Sequence, residues 1–143
     1  MSFVNTIDVL GDEVVFSSIF DSTINEFKDN TLTEIGNYAF AYCLSLTIVD
    51  TPNLNTLSMS SFENCSALKA VILRSETMCS LTGMDAFQST PIASGTGYIY
   101  VPSALVDSYK TAPRWYVYAN QFRALEDYTV DGTITGELDP NKI

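Results

Sequence analysis

The chain has 143 residues, of which 46% are hydrophobic and 17% charged, the composition of a globular domain large enough to bury its own core. Its 17 acids and 7 scattered bases give a net charge of −10, which argues against nucleic acid and anionic membranes as partners. The absence of histidine excludes histidine-assisted nucleophiles and histidine-ligated metals. No apolar run is long enough to span a bilayer.

The opening segment, residues 1–22, predicts a short amphipathic helix. Its apolar residues recur at roughly helical spacing: Ile7, Leu10, Val14 and Phe16 to Phe20. The segment lacks a basic start and acids interrupt its apolar run, so it is not a secretory signal. We expect it either to cap the fold that follows or to mediate assembly, for example as a homo-oligomer.

Residues 23–94 contain an internal repeat. A shift of 22 residues superimposes six pairs: Leu32 and Leu54, Ile35 and Leu57, Phe40 and Phe62, Cys43 and Cys65, Leu46 and Leu68, and Val49 and Val71. Strand-like stretches recur at residues 24–29, 46–51 and 68–73, separated by helix or turn segments. One such unit cannot bury its apolar side alone, so the units are expected to stack with parallel strands and with equivalent residues in ladders.

The three cysteines, Cys43, Cys65 and Cys79, leave one unpaired under any pairing, and none forms a C-x-x-C motif. We expect buried thiols that act as small hydrophobic residues. Stacking of equivalent residues brings Cys43 and Cys65 within bridging range, so a disulfide between them is conceivable. Because both positions belong to the core in each repeat, we expect thiols in preference to the disulfide.

The stretches "LTEIGNYAFAYCLSLTIVDTPN" and "LNTLSMSSFENCSALKAVIL" resemble the BspA-type leucine-rich repeat, with its pattern L-x-x-I-G-x-x-A-F-x-x-C-x-x-L-x-x-V. The second stretch has Ser58 and Ser61 where glycine and alanine are usual, which predicts a looser turn. A stretched third repeat, "MCSLTGMDAFQSTPIA", places Ala86 and Phe87 at the Ala-Phe position. The resemblance implies an α/β-type solenoid, a short leucine-rich-repeat stack with parallel strands.

Residues 95–125 predict a helical cap on the open end of this stack. We expect a strand at 97–101, a helix at 104–110 with Ser103 as its N-cap, and a second helix from Pro113 to about residue 124. Among the cap's many aromatic residues, Trp115 and Phe122 are expected in its core, and the tyrosines suit either core or interface. In the tail, residues 126–143, the stretch from Val130 to Thr133 predicts a two-residue β-hairpin.

The sequence contains no glycine-rich phosphate loop, nucleophile motif or set of residues with metal-ligand spacing. Carboxylate pairs such as Glu126 and Asp127 are typical of solvated surfaces. We therefore expect no catalytic residue, no metal and no cofactor, and no enzymatic activity.

One face of the strand-rich sheet is a candidate binding surface. Alignment of the strands points Phe27, Val49, Val71 and Ile99 inward, and alternation along each strand places its neighbours outside. The outward set forms an apolar and aromatic stripe with an acid at its edge: Ile48, Asp50, Ile72, Tyr98 and Tyr100. This composition suits the centre and rim of an interface, although an ordinary solvated sheet is the alternative.

The repeat favours a non-enzymatic binding or structural module, because stacked strands present an extended surface. The cap "GTGYIYVPSALVDSYKTAPRWYVYANQFRAL" resembles the end-cap of such repeats in gut Gram-positive bacteria and their phages, and the opening segment resembles short phage and prophage repeat proteins. Without an export signal, this resemblance implies a virion-associated fibre or decoration protein released by lysis. Its partner would be a protein or glycan on a cell surface, or a neighbouring virion protein. The alternative is a fragment of a bacterial cell-surface adhesin.

Overall fold

The structure, a computed structural model, describes residues 7–10, 13–16, 24–130 and 133–134, with side chains for 24–128. It is a short solenoid, in which each repeat adds one strand to each of two sheets. Two five-stranded sheets run along the stack, which we call the front sheet and the back sheet, and the connecting turns form a third side.

The front sheet consists of five parallel strands in the order β10-β9-β7-β5-β3. Its strands are β3 (Glu26–Lys28), β5 (Ile48–Asp50), β7 (Ala70–Ile72), β9 (Tyr98–Val101) and β10 (Phe122–Ala124). The register pairs Phe27 with Val49, Val49 with Val71 and Val71 with Ile99. The predicted strands and their alignment are therefore confirmed, although each strand is shorter than predicted.

The back sheet has the order β1-β2-β4-β6-β8, with β1 antiparallel and the others parallel. Its strands are β1 (Ile7–Leu10), β2 (Glu13–Phe16), β4 (Glu34–Ile35), β6 (Thr56–Leu57) and β8 (Ser80–Leu81). The predicted amphipathic helix is therefore wrong for β1 and β2, because "EVVF" extends the edge of this sheet beside β4. The rest of the predicted segment, residues 1–6, 11–12 and 17–22, lies outside the described residues.

The turn side holds the predicted phenylalanine ladder inside the stack. The rings of Phe40 and Phe62 stack with centroids 5.2 Å apart, and Phe62 stacks on Phe87 at 5.7 Å. All three side chains are fully buried. The expectation of a looser second turn is wrong, because Phe40 N–H donates to Ser61 O and Phe62 N–H to Ala86 O in the same pattern.

The three cysteines are buried thiols, as expected, and no disulfide joins Cys43 to Cys65. The thiol of Cys65 donates to the carbonyl oxygen of Phe40 at 2.9 Å. Its pKa is raised, first by a hydrogen bond with Cys43 and then by burial. Burial raises the pKa of Cys79 to about 12. At neutral pH both thiols are therefore protonated and serve as packing groups.

The cap closes the stack with short helices and an additional strand. It contains the 3-10 segments Ser103–Leu105 and Trp115–Gln121 around helix α2 (Val106–Thr111), and α1 (Pro91–Ser94) precedes β9. Trp115 and Phe122 are fully buried, which confirms their predicted place in the core. The indole N–H of Trp115 donates to Cys79 O at 2.8 Å, and the Tyr109 hydroxyl accepts from Cys79 N–H at 2.6 Å.

Two details of the predicted cap are wrong. Ser103 is the first residue of a 3-10 segment whose N-cap is Pro102, and the N-cap of α2 is Leu105, so Ser103 caps neither. The second helix ends at Gln121, because Phe122–Ala124 forms β10 beside β9 and buries Phe122 against the cap. In the tail, β11 (Thr129–Val130) and β12 (Thr133–Ile134) pair antiparallel, as the hairpin prediction requires.

Candidate functional site

The five residues of the predicted binding stripe share the outer face of the front sheet. Ile48 is in register with Ala70 and then Tyr98, and Asp50 with Ile72 and then Tyr100. Their predicted exposure is wrong for three of them, since Asp50, Ile72 and Tyr100 are all at most 8% exposed. Ile48 and Tyr98 are half-buried and still reach solvent.

The outer face is partly covered by the chain that follows β10. Tyr128 and Leu125 pack with Ile72 and Tyr100 in a second, smaller apolar cluster. The rings of Tyr100 and Tyr128 meet edge to face with centroids 5.0 Å apart. Burial raises the pKa of both phenols, with smaller charge effects from their neighbours. Sequence reasoning missed this cover because one tyrosine in a separate tail segment has no periodic signal.

Asp50 is held by a buried ion pair. The Nε of Arg74 donates to its Oδ1 and the Nη2 to its Oδ2, each at 2.8 Å. The Asp50 residue is 1% exposed. Such a bidentate pair satisfies both carboxylate oxygens of Asp50, so this acid is not the solvated rim residue that the sequence indicated. Arg74 lies just beyond β7, where no sequence pattern links it to Asp50.

A groove remains on the uncovered part of this face. Its volume is about 390 Å³, and its walls are Thr47, Ile48, Lys69, Ala70, Thr96, Tyr98, Tyr100 and Tyr128. The exposed Lys69 forms no ion pair with any residue between 24 and 128. The Arg123 guanidinium lies 4.6 Å from the centroid of the Tyr98 ring, within cation–π range. The groove therefore combines the aromatic walls of Tyr98, Tyr100 and Tyr128 with the exposed cation of Lys69.

Within the described residues, no cluster of three or more acidic or cysteine side chains is placed to hold a metal ion. No helix in the described part of the chain is long and apolar enough to cross a membrane.

A family model described as the BspA type leucine rich repeat region matches residues 2–104 in six copies. The chain belongs to this family. Repeats of this family generally act as binding or structural modules and not as enzymes. A search of curated proteins finds no match.

The family assignment draws attention to Ser61, which stands where this repeat usually has alanine. Its neighbours in the same layer are Ala39 and Ala86, and all three residues are fully buried. The Ser61 hydroxyl has no hydrogen-bond partner among the described residues. A buried hydroxyl without a partner is destabilising, because it loses its hydrogen bonds to water on folding.

Ser61→Ala should therefore raise the free energy of unfolding by about 1 kcal/mol. Chemical denaturation of the two proteins measures the difference. The matched control is Ala39→Ser, which introduces the same hydroxyl into the adjacent coil and should lower the free energy of unfolding. A Ser61→Ala protein less stable than the parent would show that the hydroxyl has an unseen partner.

Proposed function

We propose that this protein is a non-enzymatic binding module that uses the groove on the front sheet to contact a surface. The observation that carries the proposal is the groove between Ile48, Tyr98 and Tyr128, on a parallel sheet fixed by a stacked phenylalanine core. Tyrosine is enriched at protein interfaces because its ring provides apolar area while its hydroxyl bonds to polar groups. The partner is a protein or glycan on a cell surface, or a neighbouring subunit of a particle.

We further propose that the module is carried on a phage particle as a fibre or decoration protein. The resemblance of its cap and opening segment to phage proteins supports this placement. The family match equally supports a second placement, a bacterial cell-surface adhesin. Mass spectrometry of purified particles and of cell envelopes from the source organism separates them. Recovery with particles supports the virion placement, and recovery only with envelopes supports the adhesin.

Replacement of Tyr98 and Ile48 by serine should weaken binding to the cognate surface by about 1–2 kcal/mol or more. Both side chains are half-buried, so the fold should survive their loss better than the loss of Tyr100, which is buried against Tyr128. Beads coated with the purified protein are tested for adhesion to bacterial cells, before and after the cells are treated with protease or glycosidase.

The matched control is Leu44→Ser, which removes an exposed apolar side chain outside the front sheet. If the Ile48 and Tyr98 variant adhered as well as the parent while the control variant lost adhesion, the groove would be ruled out as the contact surface.

A further inference from the structure

The strongly exposed large apolar side chains within residues 24–128 all lie on the turn side of the stack or on the adjoining cap, and neither sheet carries one. We name the main set the turn stripe: Tyr38, Tyr42, Met59, Met84, Tyr116 and Val117. Met84 and Val117 are the most exposed, at 69% and 68%. Exposed apolar residues scattered over a protein need no explanation, but a set confined to one side indicates a contact surface.

The turn stripe is continuous along the stack. The N–H of Tyr38 donates to Met59 O at 3.1 Å, and the N–H of Ser60 donates to Met84 O at 3.1 Å. Gly83 permits this close approach, because a Cβ at that position would lie 2.4 Å from the Cβ of Met59. At the cap, Met84 lines a groove of about 440 Å³ together with Tyr116 and Val117.

Two members of the turn stripe occupy strained backbone positions. Tyr38 and Tyr42 have φ of 59° and 64°, in the left-handed region that bulky residues rarely adopt. In the next coil the equivalent positions are Ser60 and Asn64, also with positive φ. Small polar residues tolerate this conformation much better than tyrosine does. Packing does not explain the tyrosines, since they are 44% and 50% exposed.

We propose that the turn stripe docks a basic polypeptide segment with an apolar face. The whole chain carries a net charge of −10, which attracts a cationic partner and disfavours a second copy of the same chain. Acids also lie beside the stripe. Asp85 lines the groove with Met84, and the Glu63 carboxylate accepts a hydrogen bond from the hydroxyl of Ser60, the residue after Met59, at 3.1 Å.

The dimensions suit a short segment. Three successive turns contribute to the turn stripe, so two spacings of about 4.8 Å separate Tyr38 from Met84, and the cap extends the surface further. Met59 and Met84 are flexible and polarisable, so they adapt to the side chains of a peptide. Arg114 lines the cap end of the groove, so the cations of the segment are expected at the Glu63 and Asp85 end.

The test uses two labelled probes, a short amphipathic peptide of lysine and leucine and its counterpart of glutamate and leucine. Fluorescence anisotropy measures their binding to the full chain and to a variant with Tyr38→Ser, Tyr42→Asn and Met84→Ser. These substitutions leave the net charge unchanged, so non-specific attraction of the lysine peptide is the same in both proteins. We expect the affinity of the variant for the lysine peptide to be lower than that of the parent by a factor of about ten or more.

The matched control is the Ile48 and Tyr98 serine variant of the front sheet, which should bind the lysine peptide as the parent does. Equal affinity of the parent and the stripe variant for the lysine peptide would overturn the proposal. Equal affinity of the parent for both peptides would overturn its charge component. Dimerisation of the parent in sedimentation, lost in the stripe variant, would make a second copy the occupant instead.

A stability measurement separates docking from a structural role. Tyr42→Asn copies the residue of the next coil and relieves backbone strain, so its Tm should rise by about 2–4 °C. Binding of the lysine peptide should fall in the same protein. A lower Tm would mean that Tyr42 stabilises the fold through its own contacts, and its strained conformation would then no longer support the proposal.

Discussion

Phe62→Ala should lower the free energy of unfolding by about 3–5 kcal/mol, a large share of the total for a domain of this size. The Phe62 ring is fully buried between Phe40 and Phe87, at centroid distances of 5.2 and 5.7 Å. Its removal leaves a cavity in the middle of the ladder, where flanking coils fixed by backbone hydrogen bonds cannot collapse into the space. Urea denaturation followed by far-UV circular dichroism gives the change.

Two controls accompany this measurement. Phe62→Leu keeps most of the volume and should cost clearly less than the alanine substitution. Tyr116→Ala removes an aromatic ring that is 62% exposed and should change stability by about 0.5 kcal/mol or less. If Phe62→Ala and Tyr116→Ala had similar effects, the phenylalanine ladder would not be the main support of the stack.

The part of the fold that could be predicted from the sequence is the part that repeats. The shift that superimposes Phe40 on Phe62 identifies a layer of the core, and the register of the front sheet follows from the same shift. A repeat constrains the structure strongly, because the same alignment of core residues has to fit every coil at once. The ladder and the strand alignment were therefore predicted correctly.

The back sheet could not be predicted, because its repeat strands are only two residues long. Thr56 and Leu57 show no alternation that distinguishes a strand from a turn, and neither do the other pairs. The opening segment is a different case. Its apolar residues fit both a helical and an alternating spacing over so short a length, and pairing with β4 selects the strand.

The candidate site was predicted in its position but not in its exposure. Alternation along β5, β7 and β9 correctly places the five residues on one face. Two residues without a counterpart in the repeat pattern change that exposure: Tyr128 in the tail covers the face, and Arg74 beyond β7 pairs with Asp50. Neither residue has a pattern that a sequence argument can use, because each contact is a single long-range event.

The turn stripe was missed for a related reason. Tyr38, Met59 and Met84 lie in turn segments, where apolar residues have no period to reveal which way they point. Exposed apolar residues in turns also look in a sequence like core residues of an adjacent element. Only the backbone angles of Tyr38 and Tyr42 show that these tyrosines are retained against their conformational preference.

Arg74→Met should destabilise the protein by about 3–5 kcal/mol, because it leaves the Asp50 carboxylate buried without its bidentate partner. Asp50 is 1% exposed, so water cannot replace the guanidinium without a local rearrangement of the fold. Methionine keeps the length of the arginine stem, so the loss measures the charge and its hydrogen bonds more than the packing. Denaturant unfolding of the variant and the parent gives the difference.

The decisive comparison is the double variant Asp50→Ile with Arg74→Met. The next strand has Ile72 in register with Asp50, so isoleucine already fits this face one coil further along. Because an apolar pair of suitable volume can replace a buried ion pair with little loss, the double variant should recover most of the stability that Arg74→Met removes. Recovery would show that the single variant is destabilised by an unpaired buried charge. If the double variant were as unstable as the sum of the two single ones, Asp50 and Arg74 would act independently, and the pair would not be what holds this face of the front sheet together.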